Sequence, residues 1–503
     1  VPTRSVSEEE PANSVQCDST SLTLRVMMTA MKSAQLLLAF CLLFSVVCAE
    51  ESESQPNFLV ILLDDAGWTD IGCFGSRIET PNIDRLAEQG MRFTDCHSAA
   101  PNCSPSRAGL LTGRTPSRVG VYSYLPNNHV MHLRDEEITV AELLKTKGYR
   151  TGHFGKWHLS RLESDQPGPK QQGFDYSLGT DNNAKPSHLN PVNFVRNGKA
   201  IGELKGYSCQ LVVDECMTWL EEARRDPFFA CVWFHEPHTP IASPPGLVEK
   251  YQKLYPELKK KAATYHANVE NVDRAVGRLL KRLDELEISD NTFVFFTSDN
   301  GPLNKFSRVG LRGQKSNLWD GGHRVPGIFR WPGHIAAASE CAVPICGTDY
   351  LPTVCEIAGI DPPKDRHIDG QSILSLLEGK PEGFKRTQPL YWFFYRLNPG
   401  LAIRDGNWSL VSHTNDSERP KTHGLVREDI GKIKASKPIG FQLFDVSKDV
   451  AQQNDLAEEH PDIVARLRSK MEQLHSEVVE EGHAWDIPAD YAAKSKRKIW
   501  DSE

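Results

Sequence analysis

Asn57-Phe58-Leu59-Val60-Ile61-Leu62-Leu63-Asp64-Asp65 is an unbroken apolar run closed by two adjacent carboxylates. A strand without polar alternation is buried on both faces, as strands of parallel sheets are. Residues 149–154, 228–234 and 292–298 repeat the pattern and read as further buried strands. Between them, 83–89, 140–147 and 207–225 read as helices. Val269, Val272, Val276, Leu279, Leu283 and Leu286 fall at spacings of three and four, one apolar stripe on a long amphipathic helix. Strands alternating with helices predict an α/β domain, a large sheet with helices on both faces.

After about residue 387 the rhythm changes. Residues 390–395, 401–404, 408–412 and 442–446 read as short strands, 413–440 as a polar, Lys-rich loop, and 461–479 as a helix. This predicts a smaller C-terminal antiparallel sheet covered by a helix, and divides the chain into 56–386 and 387–503. Toward the start, Met31-Lys32 precedes an apolar stretch at 36–47 that ends in Val47-Cys48-Ala49. Residues 31–49 read as a secretory signal cleaved after Ala49, too short for a stable membrane span. Residues 1–30, with Glu8-Glu9-Glu10, have the wrong charge for a leader and read as an upstream artefact. The expected location is secreted or periplasmic, or a lysosome-like lumen.

The 503 residues carry a formal net charge of −8, which argues against a nucleic-acid partner while leaving room for a local basic pocket. Of twelve cysteines, Cys17, Cys41 and Cys48 precede the cleavage point. Setting Cys103 aside leaves an even number, and Cys209/Cys216 and Cys341/Cys346 are local candidates for disulfides, with buried free thiols the alternative.

Cys103-Ser104-Pro105-Ser106-Arg107-Ala108-Gly109-Leu110-Leu111-Thr112-Gly113-Arg114 carries the chemistry. Ser104 is an expected N-cap, with Pro105 in the first helical turn. Cys103 then stands at a helix N-terminus that favours an anion, and Arg107, one turn on, can reach back to it. Asp64-Asp65 and Asp299-Asn300-Gly301 each close a buried strand, at the strand ends where α/β sheets gather ligands. Three carboxylates and an amide are oxygen donors suited to a hard cation. Lys156 and His158 alternate by two, so on an extended segment both point to one face. In His235-Glu236-Pro237-His238, Pro237 prevents the helical spacing of a zinc protease.

The Cys103–Arg114 string resembles the signature of the type I sulfatases, and Gly155-Lys156-Trp157-His158-Leu159 resembles their second signature. The resemblance implies an alkaline-phosphatase-like fold and a sulfuric ester hydrolase whose cysteine, here Cys103, is oxidised to formylglycine by a formylglycine-generating enzyme. It implies Ca²⁺, with Mg²⁺ the alternative, held by Asp64, Asp65, Asp299, Asn300 and the modified Cys103. His238 and Lys315 match the family's sulfate-contacting residues, with Arg107, Lys156 and His158 completing the catalytic set. A further polar contact is expected between His158 and His238, where Asn182, Asn183 and His188 are candidates. Asp320-Gly321-Gly322 stands where the family often has Glu-Gly-Gly. Residues 291–301 and 368–370 look most like the N-acetylgalactosamine-6-sulfatase and arylsulfatase group.

The implied substrate is a sulfated carbohydrate or an aryl sulfate, with specificity expected in the loop-like stretches 160–206, 302–311 and 396–440. The alternatives are a phosphomonoester or phosphonate-ester hydrolase on the same fold, and a catalytically dead protein that binds sulfated glycans.

Overall fold

Asn57–Asp64 is buried at every position and lies inside a ten-stranded sheet. The computed structural model describes residues 55–126, 128–303, 307, 310–415 and 424–491. The expected signal at 31–49 and the extension at 1–30 lie outside the described residues. From one edge to the other the strands run Ser339–Cys341, Met91–Phe93, Gly327–Arg330, Thr292–Ser298, Asn57–Asp64, Phe228–Pro237, Arg150–Lys156, Tyr176–Thr180, Phe194–Arg196 and Lys199–Gly202. The middle five, from Thr292–Ser298 to Tyr176–Thr180, are parallel, and antiparallel strands flank them, so the sheet is mixed.

Because side chains alternate across a strand, Asn57–Asp64 feeds two cores. Leu59, Ile61 and Leu63 pack with Val269, Val272, Val276 and Leu279 of the helix Lys260–Glu285. Phe58, Val60 and Leu62 join the opposite layer, which includes Leu110 and Leu111 of the helix Cys103–Thr112. At roughly 1.5–3 kcal/mol for each large apolar side chain removed from water, these two layers are the main reason the sheet forms. The long helix lies where the apolar stripe placed it, with Leu286 just past its last turn.

The C-terminal strands Leu390–Phe394, Gly400–Asp405, Trp408–Thr414 and Pro438–Asp445 form a four-stranded antiparallel sheet, accompanied by the helix Pro461–Glu481. Phe393, Leu401 and Met471 belong to the same apolar layer as Leu110 and Leu351. The described residues form one compact unit.

Several local expectations need correction. The helix expected to be capped by Ser104 starts two residues earlier, at Cys103, with Asn102 as N-cap. The Ser104 hydroxyl instead accepts from the Leu125 N–H at 3.0 Å. Residues 160–206 are not all loop: they contribute Tyr176–Thr180, Phe194–Arg196 and Lys199–Gly202, which extend the sheet. Within the expected loop 413–440, Arg427–Ala435 is a helix that buries Ile430 and Ile433. Neither local cysteine pair forms a disulfide, and all nine described cysteines are free.

The sheet is tightest beside the later site. Gly155 has φ +108°, and a Cβ there would lie 1.9 Å from the Trp233 carbonyl oxygen on the neighbouring strand. Gly148 has φ +84° with open space around it. Gly155→Ala combines backbone strain with a backbone collision and should lower stability by roughly 2–5 kcal/mol. Gly148→Ala incurs only the backbone term, about 1 kcal/mol. Denaturant unfolding of the two variants against the parent measures the difference; equal losses would show that the close approach to Trp233 is dispensable.

Candidate active site

The ends of the parallel strands deliver the charged residues. Asp64 closes Asn57–Asp64, Lys156 closes Arg150–Lys156, and Asp299-Asn300 follows Thr292–Ser298. Leu63 pairs with Ser298 and Asp64 with Pro237, so these strands finish level with one another. Asp65 leaves the strand with φ +65°, an uncommon conformation for a side-chain-bearing residue and one that concentrates at functional sites. Its N–H donates to Asp299 Oδ1 at 3.1 Å.

Asp64, Asp65, Arg107, Lys156, His238, Asp299, Asn300 and Lys315 meet in one cluster. Arg107 donates to Asp299 Oδ2 through Nε at 3.0 Å and Nη2 at 2.8 Å, and to the Lys156 carbonyl at 2.5 Å. Its Nη2 lies 4.0 Å from Asp64 Oδ1. Lys156 Nζ donates to Asp64 Oδ2 at 2.5 Å. Asp65 Oδ1 accepts from Lys315 Nζ at 2.7 Å and from Asn300 Nδ2 at 2.8 Å. His238 gives Nδ1–H to the Thr239 carbonyl, leaving Nε2 3.5 Å from Asp65 Oδ2. Arg107, which the spacing aimed at the anion on Cys103, also faces the acidic cluster, with Cys103 still near enough to act on its charge.

Three carboxylates, Asp64, Asp65 and Asp299, face three permanent cations, Arg107, Lys156 and Lys315. Burial would raise the Asp64 pKa, but Lys156, His238, Arg107 and Lys315 outweigh it and hold the group well below its usual range. Burial, with Asp64 beside it, pushes Asp299 up to about 7 in spite of Arg107. Burial works against the Lys315 charge, yet Asp65 keeps that ammonium more basic than usual. Burial raises the Cys103 thiol, partly offset by Lys315 and Lys156.

A hard cation fits this donor set. Asp64 Oδ1 and Asn300 Oδ1 are buried without a hydrogen-bond partner, an expensive arrangement unless something positive faces them. Asp64, Asp65 and His238 also present ligand atoms close enough together to share an ion. The oxygens suit Ca²⁺ or Mg²⁺.

The histidines divide. Arg150–Lys156 ends at Lys156, and His158 has φ +56°, so the extended geometry that would have set both side chains on one face is absent. His158 Nε2 donates to the Leu125 carbonyl at 3.0 Å, which leaves Nδ1 as the acceptor nitrogen. Burial, together with Lys156 and Arg107, holds this ring well below its normal pKa and therefore neutral. His235 bonds the Thr180 hydroxyl at 2.8 Å, a structural contact.

Of the three candidates between His158 and His238, Asn183 reaches the cluster: its Oδ1 lies 3.4 Å from Lys156 Nζ, and its carbonyl accepts from Asn193 Nδ2 at 3.0 Å. His188 is buried beside Asn268 and Glu236, and Asn182 offers its carbonyl to Thr180. No short motif could have separated the adjacent Asn182 and Asn183, because the choice depends on how the loop leaves Tyr176–Thr180.

Comparison with known proteins agrees with this geometry. Residues 56–360 match the sulfatase family model, and 314–477 match the model for the C-terminal part of N-sulphoglucosamine sulphohydrolase. The chain is 34% identical over 429 residues to N-acetylgalactosamine-6-sulfatase of Rattus norvegicus, covering 78% of each. It is 30% identical over 518 residues to steryl-sulfatase of Homo sapiens, covering 83% of this chain and 87% of that one. Among solved structures it resembles Ps i-CgsB in complex with k-i-k-neocarrahexaose, with a TM-score of 0.73 and 26% identity over 86% of this chain and 94% of the other. The phosphonate monoester hydrolase of Agrobacterium radiobacter, at 20% identity and a TM-score of 0.59 over 85% and 96% of the two chains, shares the fold. With the family model spanning most of the chain and relatives matching over more than two thirds of it, this protein belongs to the sulfatase family and is a sulfuric ester hydrolase.

Proposed function

We propose that the ester is carried by a sulfated carbohydrate, that the nucleophile is formylglycine made from Cys103, and that one Ca²⁺ is held by Asp64, Asp65, Asp299 and Asn300 with the modified residue. The observation that carries this reading is the pair of buried, unpartnered oxygens, Asp64 Oδ1 and Asn300 Oδ1, in a cluster that also holds Arg107, Lys156 and Lys315. A sulfate ester reacts through a transition state rich in negative charge, so fixed cations dominate its stabilisation. Bound there, Ca²⁺ supplies further electrostatic stabilisation.

Lys156, Lys315 and His238 surround the sulfuryl oxygens, while Arg107 holds Asp299 in place. One hydroxyl of the hydrated residue 103 attacks sulfur; the S–O bond to the sugar breaks, and Lys315 protonates the departing alcohol, because His238 already gives its one proton to the Thr239 carbonyl. His158 Nδ1 then takes the proton of the remaining hydroxyl as the C–O bond to sulfate breaks and the aldehyde returns. The tautomer fixed by the Leu125 carbonyl supports that role. Water restores the hydrate. Asn183 is proposed to steady Lys156.

A carbohydrate substrate is supported by N-acetylgalactosamine-6-sulfatase among the relatives and by the neocarrahexaose complex among the structures. No helix among the described residues is long and apolar enough to cross a membrane. We also propose that the chain is secreted or enters a lumen, and that 56–386 and 387–503 are its catalytic and C-terminal parts. A panel of sulfated sugars, aryl sulfates and phosphonate esters tests the class; turnover of the phosphonates alone would overturn it.

Expression in a host with the maturation machinery should give a Cys103 tryptic peptide carrying the aldehyde. Active protein with a wholly unmodified thiol would eliminate this nucleophile.

Elemental analysis should find about one Ca²⁺ or Mg²⁺ per chain in this oxygen-rich site. Chelation should abolish turnover and Ca²⁺ should restore it. Zinc in that role would point to the phosphatase alternative.

His158→Ala should slow turnover by about 10²–10⁴, the usual contribution of a general base. With an aryl sulfate it should release one equivalent of phenol in a burst, then stall with sulfate on residue 103. Lys315→Ala should be slow without a burst. Absence of both burst and sulfated peptide in His158→Ala would reassign the histidine to binding or the first step.

A further inference from the structure

Outside the acidic cluster, His97 and His323 face one another with their Nδ1 atoms 2.9 Å apart, both rings buried. The hydrogen-bond partners fix the protons. His323 Nε2 lies 3.1 Å from the Leu318 carbonyl, which can only accept, so that nitrogen carries a proton. The two His323 nitrogens meet the Leu318 carbonyl and His97, with no carboxylate bonded to either, and burial pushes this ring down to about 3. His97 Nε2 lies 2.7 Å from Asp95 Oδ1. Arg404 Nη2 reaches Asp95 Oδ2 at 2.6 Å and Arg324 lies 3.8 Å from Oδ1, so this carboxylate is an ionised acceptor. His97 must donate there too. The remaining contact, Nδ1 to Nδ1, needs one proton, and the Asp95 carboxylate bonded to His97 draws the extra charge to that ring and away from His323, whose Nε2 faces a neutral carbonyl.

We infer that His97 is held as an imidazolium, a buried cation that positions the segment leading to Cys103. The charged and titratable groups around it are Asp95; Asp320 and His323 of the Asp320–His323 turn; Arg324 directly after that turn; and Arg404 of the C-terminal sheet. His97, Asp320 and His323 also have the composition of a transition-metal site. Charge decides against that occupant. Asp95 and Asp320 balance Arg324 and Arg404; a shared proton leaves one surplus positive charge in the interior, whereas a dication leaves two. Distance agrees, since two imidazole nitrogens on one tetrahedral zinc, at about 2.0–2.1 Å each, lie roughly 3.3 Å apart.

The pair joins three pieces of the molecule. The Ser98 N–H donates to the His323 carbonyl at 2.7 Å, five residues before Cys103. The Gly301 N–H donates to the Gly322 carbonyl at 2.9 Å, tying the residues after Asn300 to the same turn. From the C-terminal sheet, Trp392 stacks on His323 with centroids 4.2 Å apart and donates Nε1–H to the Ser98 carbonyl at 2.8 Å. His97 touches none of the proposed reacting groups, so it is a positioning residue.

The test uses the full chain labelled with ¹⁵N-histidine, with the His97 signals assigned by their loss in His97→Gln. Both ring nitrogens of His97 should bear protons, and only one of His323. A single proton on His97 overturns the inference, as does a stoichiometric transition metal in the parent that His97→Gln loses. The kinetic arm rests on the sulfatase reading: with an aryl sulfate, His97→Gln should lower kcat about 10–100-fold while KM changes less than about threefold, as for residues that orient a site from behind. Unchanged kcat removes the positioning role. A parent without sulfatase activity would defeat the proposed function instead, and the proton count would still decide the state of His97.

Discussion

A guanidinium with no exposed surface must be matched inside the protein, and Arg107 is matched from three directions. Asp299 takes two of its N–H groups, the Lys156 carbonyl takes a third, and the Trp233 ring lies 5.2 Å from its central carbon. Removing one partner from such a set typically costs 3–5 kcal/mol, because the survivor remains charged and unsolvated. The second turn of Cys103–Thr112, the end of Arg150–Lys156 and the loop after Thr292–Ser298 are therefore held to one another. Any displacement of these pieces would strand a charge.

That coupling explains why the sheet and the site are one construction problem. Gly155 lets its strand approach Trp233 closely, and Lys156 follows immediately with its carbonyl on Arg107 and its ammonium on Asp64. The C-terminal sheet takes part as well. Arg404 meets Asp95, Trp392 meets Ser98, and Gln452 accepts from the Asp320 N–H at 2.7 Å. These contacts reach the segments on either side of the cluster, so the smaller sheet is part of the frame around the chemistry.

The parts legible in the sequence were those with a strong period or a strand end. Phe58 to Leu63 reads as a doubly buried strand because no polar residue interrupts it, and the carboxylates that close it and its neighbour consequently meet. The less legible parts depend on partners distant in the chain. Tyr176–Thr180 is short and includes Gly179, and its strand identity comes from pairing with Gly152–Lys156. Arg427–Ala435 buries only Asp429, Ile430 and Ile433 and is otherwise rich in charge, so its composition resembles a loop. Ser104 has a capping residue's chemistry, but Leu125 offers it a donor that local sequence does not reveal. The direction of Arg107 was hidden for the same reason: Asp299 is 192 residues away.

The nine described cysteines have a practical meaning of their own. All are unpaired, and burial raises thiols such as Cys96, Cys209, Cys216, Cys231 and Cys355, which suppresses the thiolate that oxidants and disulfides attack. The described body therefore has the same covalent framework in reducing and in oxidising surroundings. Apart from the proposed oxidation of Cys103, its assembly requires no oxidant and no shuffling of mispaired bridges, and glutathione has no disulfide among the described residues to cut. Redox milieu, so often decisive for a cysteine-bearing secretory chain, is a neutral variable for this scaffold.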